Sequence, residues 1–297
     1  MQFLKKATFP LVSYLLISAF YSWPAIRLDP GLLVTRHFDL YPSLWLFEAS
    51  PSYKLFWSGS AWPYGESLFR VDSYVWLVLS WLNHGLFSGV QAADLMLWLG
   101  PVANGVAAEW CSHRSFGIER PYSWFAGLIY GFSGIASVAM LEGHVYYLLN
   151  PWLPLLLGLL WKGGGWKEGL VAGLCWSLCL FTSAYLGICG ALLVGALAWR
   201  ARRLLLGLFA VSLPAGLYYV WLFLMGGGWK DNAPTTGAFQ TGGSSLAGFL
   251  YGPESVDLGG HSLVTPLCFF GFWLWIQSFS KKELRGLWLV SALLLVA

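Results

Sequence analysis

Residues 204–225 read LLLGLFAVSLPAGLYYVWLFLM, with no charged side chain, and Arg200, Arg202 and Arg203 stand immediately before them. As a helix rising 1.5 Å per residue the run is ~33 Å long, enough to cross a hydrocarbon layer about 30 Å thick. A helix on the surface of a soluble core alternates polar and apolar faces, whereas this run is apolar all round. Blocks of the same kind recur at 8–26, 91–111, 121–140, 145–161, 168–182, 184–199 and 263–279, and another starts near Leu287. The blocks at 145–161 and 184–199 are short, but Lys162 and Arg200 can snorkel from their ends. The whole chain has the same character: 57% hydrophobic and only 10% charged among 297 residues, with a mean hydropathy of +0.62. The expected fold class is an all-α polytopic membrane protein, a single transmembrane domain over 1–297 with about eight to nine transmembrane helices.

Threading the blocks alternately from a cytoplasmic N-terminus sorts the cations. Lys5, Lys6, Arg114, Arg120, Lys162, Lys167, Arg200, Arg202, Arg203, Lys281, Lys282 and Arg285 fall inside; Arg27, Arg36, Lys54, Arg70 and Lys230 fall outside. Twelve of 17 on one side is the bias that orients multi-pass inner-membrane proteins, and it played no part in choosing the spans. The acids run the other way: Asp29, Asp39, Glu48, Glu66, Asp72, Asp94, Glu142, Asp231, Glu254 and Asp257 are outside or at the outer edge. Topology does not demand that distribution, so it points to an outer polar site. No basic block suggests nucleic acid.

Two outer segments are long. The first, 27–90, carries amphipathic stretches at 39–49 (DLYPSLWLFEA) and 73–87 (SYVWLVLSWLNHGLF), both crowded with aromatic residues and both suited to lie at headgroup depth. The second, 226–262, is rich in Gly, Ser and Thr and reads as a loop. Lys5 and Lys6 ahead of an apolar stretch imitate a signal peptide, but bulky Tyr21, Trp23 and Pro24 follow where a cleavage site needs small residues, so a retained first span is expected. Cys111, Cys175, Cys179, Cys189 and Cys268 lie in or beside apolar blocks with no metal-type spacing, and read as packing residues. The last block, LRGLWLVSALLLVA at 284–297, stops about half-way through a span, and a C-terminal continuation is expected.

Polar residues concentrate at three outer places. TRHFDLYP places Arg36, His37 and Asp39 just before an amphipathic segment; a carboxylate there has its basicity raised by apolar surroundings and lowered by the neighbouring Arg. MLEGHVYYLL pins Glu142 and His144 in a short turn between two spans. WPYGESLFRVDSY contributes Arg70 and Asp72. Asp39, Glu142 and His144 together have the donor types of a hard divalent cation such as Mg or Mn. Arg36, Arg70 and Lys230 are outer cations for a phosphate, with Arg the better bidentate partner. Asp94 and Glu109, near opposite ends of one span, read as acids that reach the two interfaces, and no intramembrane proton relay is evident.

A cytoplasmic N-terminus, a first span, an outer loop opening with HFDLYPSLWLF, the WPYGESL segment, and then LIYGFSGIASVAMLEGHVYYLLNPWLPLLLGLL give the chain a familiar layout. Over roughly residues 1–200 it resembles bacterial GT-C-type integral membrane glycosyltransferases. The short motifs that carry the resemblance are Tyr130, Phe132 and Ser133, then Gly143 and His144, then Trp152, Leu153, Pro154 and Leu155; Gly134 stands where a Pro is expected. The resemblance implies a GT-C-like bundle whose long first outer loop carries interfacial helices. It also implies transfer of a sugar from a polyprenyl-phosphate donor to an acceptor on the outer face. By position Asp39 matches the family's catalytic acid, with Arg36, Arg70, Glu142, His144 and Lys230 available to donor and phosphate.

Two other functions use the same outer polarity. A flippase for a lipid-linked saccharide needs the same headgroup site and also a polar path through the bundle, and the near absence of central charge argues against that path. A noncatalytic subunit of an envelope assembly needs neither.

Overall fold

The computed structural model describes residues 2–31, Leu44, Phe47, 74–132 and 148–225. Among them are eight α-helices and no strand: α1 (Gln2–Tyr21), α2 (Tyr74–Asn83), α3 (Gly89–Trp110), α4 (Arg120–Gly131), α5 (Trp152–Lys162), α6 (Trp166–Thr182), α7 (Ala184–Leu197) and α8 (Arg202–Met225). The expected spans at 263–279 and from Leu287 lie outside the described residues. The all-α class holds. By length and composition, one described helix, over Arg202–Trp221, is long and apolar enough to cross a membrane; Phe9–Tyr21, Trp152–Lys162 and Leu186–Leu197 are shorter apolar helices.

Local chemistry sets the boundaries. Ser88 caps α3 by accepting the Gln91 N–H at 3.2 Å, while Gln91 Oε1 accepts the Ser88 N–H at 3.0 Å. This reciprocal box starts the helix at Gly89, ahead of its apolar block. The far end of α3 widens into a π-helical turn over Cys111–Ser115, whose exit is tied by the contact of His113 Nδ1 with Ile118 O at 2.9 Å. α4 opens on Arg120–Pro121, where a missing N–H costs nothing. Within the block expected at 145–161, of which 145–147 lie outside the described residues, the α-helix starts at Trp152, with Pro151 as its N-cap residue. At α6, the Glu168 carboxylate accepts the Gly165 N–H at 2.9 Å.

Close approach of backbones assembles the bundle. Side chains on Gly169, Gly173 and Gly207 would collide with the carbonyls of Leu204, Leu208 and Trp166, so α6 and α8 touch along a glycine seam. Such seams let two backbones approach closely and make continuous van der Waals contact. Contacts also fix the helix directions. Gly105 meets Gly127 and Gly131 meets Pro101, making α3 and α4 antiparallel; Tyr14 meets Gly105 while Ser18 Oγ donates to Trp98 O, making α1 and α3 antiparallel. Leu148 lies on Gly100 and Gly158 on Trp110 and Cys111, so α5 runs with α3. Gly187 meets Leu180 and Gly190 meets Trp176, so α7 returns against α6, while α8 runs with α6.

These directions are those that a chain threading alternately requires. They gather Arg114, Arg120, Lys162, Lys167, Arg200, Arg202 and Arg203 at one end of the bundle. At the opposite end the described charges are Arg27, Asp29 and Asp94, with Arg27 stacked 4.8 Å over Trp23. Between the ends, Leu206, Leu213, Leu217 and Val220 of α8 and Phe9, Leu16 and Phe20 of α1 face outward and exposed.

Candidate functional site

The sequence places chemistry at Arg36, Asp39, Arg70, Glu142, His144 and Lys230; all six lie outside the described residues. What the structure does describe is the surface around the end of α1 and the start of α3, where that polarity was expected.

There Asp94 departs from its sequence reading. It sits five residues, or ~8 Å, inside α3, and is 2% exposed instead of reaching the interface. Its Oδ2 has no hydrogen-bond partner among the described residues. Leu97, Pro101, Gly105 and Ala108, all buried, share its helix face at spacings of three, seven, eleven and fourteen. That spacing, read with the small residues, was the signal in the sequence that this acid points inward. Asp29, exposed just beyond α1, lies close enough for the two carboxylates to interact electrostatically. Its Oδ1 accepts the Gly31 N–H at 2.9 Å. Gln91 Nε2 donates to Leu28 O at 2.8 Å, holding the segment that bears Asp29 against the first turn of α3.

Glu109, on the same helix, differs in having Arg120 near enough to attract its carboxylate. The electrostatic neighbour of Asp94 is a like charge. A buried carboxylate beside a second carboxylate is costly to keep, which makes Asp94 a functional candidate on physical grounds.

On the other side of α3, Phe47, Trp76, Leu79, Phe87, Met96 and Leu99 line most of an apolar cavity of about 190 Å³ between α2 and α3. Phe47 meets the Trp76 ring tilted at 6.0 Å and stacks on His84 at 6.2 Å. Deeper in the bundle, residues 148–150, which lie outside any α-helix, pack against α3. Asn104 Nδ2 donates to Leu148 O at 2.7 Å, the Asn150 N–H donates to Asn104 Oδ1 at 2.8 Å, and Tyr130 Oη donates to Asn150 O at 2.9 Å. Buried backbone groups that no α-helix pairs are satisfied here by side chains. Asn150 Oδ1 and Trp152 Nε1 are buried without a hydrogen-bond partner among the described residues.

Among the described residues no three His, Cys, Asp or Glu side chains come together as metal ligands. Asp29 and Asp94 offer the hard carboxylate oxygens that Mg or Mn takes, but two carboxylates fall short of a six-coordinate set. Comparison with known families, with characterised proteins and with solved structures finds no match for this chain.

Proposed function

We propose that the chain is a multi-pass membrane protein with a GT-C-like bundle of about eight to nine transmembrane helices. In this reading it moves a sugar from a polyprenyl-phosphate donor to an acceptor hydroxyl at the acidic, outer face. The observation that carries the reading is Asp94, buried and uncompensated beside Asp29 at the end opposite the cations. Alternating helix directions and outward apolar faces on α1 and α8 support the membrane part. The aromatic-lined cavity beside α3 suits part of an isoprenoid chain.

Chemically, a carboxylate at the outer face takes the proton of the acceptor hydroxyl. The hydroxyl oxygen bonds to the anomeric carbon as the bond from that carbon to the phosphate oxygen breaks, and the polyprenyl phosphate leaves with the electron pair. Asp39 is the proposed base. Arg36, Arg70, His144 and Lys230 are proposed to meet the phosphate, and Glu142 to hold the sugar. Asp94 supports the site from within the bundle. A divalent cation, if held by Asp39, Glu142 and His144, would supply further positive charge to the leaving phosphate.

The test is transfer from a radiolabelled polyprenyl-phosphate sugar in proteoliposomes. Wild-type protein should label acceptor, and Asp39→Asn and Asp94→Asn should each lower the rate by at least about 100-fold at unchanged insertion. Turnover near wild type in both variants would remove the carboxylate chemistry. The flippase reading has one observation in its favour, the Asn104 and Asn150 polar groups joined inside the bundle. Movement of labelled donor across the same vesicles without acceptor would decide for it.

A further inference from the structure

At the basic end, Trp161 is buried at the close of α5, with Phe116 edge-on to its ring at 5.2 Å. The Arg200 guanidinium lies 4.2 Å over that ring, and its Nε donates to Trp161 O at 3.1 Å. Two restraints on one planar group fix its orientation. Its terminal nitrogens have no partner among the described residues, so the fork is aimed outward and already ordered. Lys162 follows Trp161 in the chain, Arg202 and Arg203 come two and three residues after Arg200, and all three are exposed. Lys162 and Lys167 share Glu168, whose carboxylate is already engaged by the Gly165 N–H. The corner therefore keeps a surplus of positive charge.

Apolar surface frames this charge. Trp166 and Trp199 are 55% and 68% exposed at the same end, and Leu206, one turn into α8, is 78% exposed. Exposed indoles at the level of cations, with aliphatic side chains beneath, match the layering of a bilayer from headgroup to chain. A free phosphate would satisfy the fork and leave Leu206 bare. A zwitterionic headgroup would bring its own ammonium against Arg202 and Arg203.

We propose that the corner formed by the end of α5 and the turn from α7 to α8 is a binding site for the phosphodiester headgroup of an anionic phospholipid. The site rests on the membrane reading above and is independent of the transfer chemistry. Arg200 makes the bidentate contact, with Trp161 as its rigid backing. Lys162, Arg202 and Arg203 supply the surrounding field.

Native mass spectrometry of the full chain, released from micelles containing equal dioleoylphosphatidylglycerol and dioleoylphosphatidylcholine, tests the site. Wild-type protein should retain phosphatidylglycerol preferentially, and Arg200→Gln should weaken that retention about tenfold, as loss of a charge-assisted contact does. Arg200→Lys, which keeps the charge and loses the fork and the flat stack, should weaken it about threefold. The double variant Arg202→Gln/Arg203→Gln alters only exposed side chains and should also weaken retention, which keeps the test decisive if Arg200 variants misfold. Equal retention of both lipids by wild type, or unchanged retention in the double variant and a folded Arg200→Gln, would overturn the proposal. Displacement of bound lipid by millimolar inorganic phosphate would reassign the corner to a free anion and overturn it too. Release of the protein from membranes by a carbonate wash would defeat the membrane reading; a membrane-retained protein indifferent to lipid charge would defeat this site alone.

Discussion

Asn104→Ala is the substitution whose cost the structure specifies most fully. Asn104 is 4% exposed and holds two backbone groups of residues 148–150, the Leu148 carbonyl at 2.7 Å and the Asn150 N–H at 2.8 Å. Truncation strands both inside the bundle. By the cost of an unsatisfied buried group, about 1–3 kcal/mol each, the loss is about 2–6 kcal/mol. By the coupling measured between membrane helices, ~0.6 kcal/mol on average and ~1.7 at most, it is about 1.2–3.4 kcal/mol. The two ranges overlap at about 2–3.4 kcal/mol, and the cost is expected there, because these residues have no helical neighbour to take over the bonds. Asn83→Ala is the control: Asn83 Nδ2 bonds Leu79 O within its own helix at 2.7 Å, and its removal should cost under about 0.5 kcal/mol. The assay is equilibrium unfolding in mixed micelles, followed by far-ultraviolet circular dichroism for both variants. A cost for Asn104→Ala no larger than the control would refute the claim that this side chain holds residues 148–150 in place.

Other outcomes follow from the same contacts. Gly207→Leu should part α6 from α8, because the Trp166 carbonyl occupies the place of its side chain; a cost of about 3 kcal/mol or more is expected in the same unfolding assay, and a neutral effect would mean the seam is not formed. Ser88→Ala removes the cap of α3 and should cost about 1 kcal/mol in the same assay, with Gln91→Ala costing more because it loses the bond to Leu28 O as well as its half of the box. In a cysteine-free background, cysteines at His84 and Lys167 should be labelled from opposite sides of the membrane, the first from outside and the second from the cytoplasm; labelling of both from one side would undo the alternating thread.

Helix ends were legible where local chemistry announces them. The 168–182 and 204–225 blocks correspond to Trp166–Thr182 and Arg202–Met225, bounded by the glycines at 163–165 and by the arginines before Leu204. Where a long-range partner decides, hydropathy was silent. α1 closes at Tyr21 instead of 26, ahead of Pro24, and Ala25–Arg27 form a 3-10 turn. Residues 148–150 lie outside any α-helix, with Asn104 and Tyr130 satisfying their backbone from other elements, at sequence separations of 44 and 20. Asp94 was visible as an acid of α3, but averaging over a window hides which face it occupies; the face, not the mean, buries it. The residues chosen for the outer site, from Arg36 to Lys230, fall outside the described residues.

The hydrogen bond from Gln91 to Leu28 has a consequence for how this chain tolerates change in length. It fastens the point where the first long outer segment departs to the point where it comes back, making a neck that is closed whatever lies beyond it. For a flexible loop so closed, doubling its length costs only about 0.6 kcal/mol of closure entropy. Changes in chain length between Gly31 and Tyr74 can then be absorbed while α1 and α3 keep their register. The bundle need not refold to accommodate them.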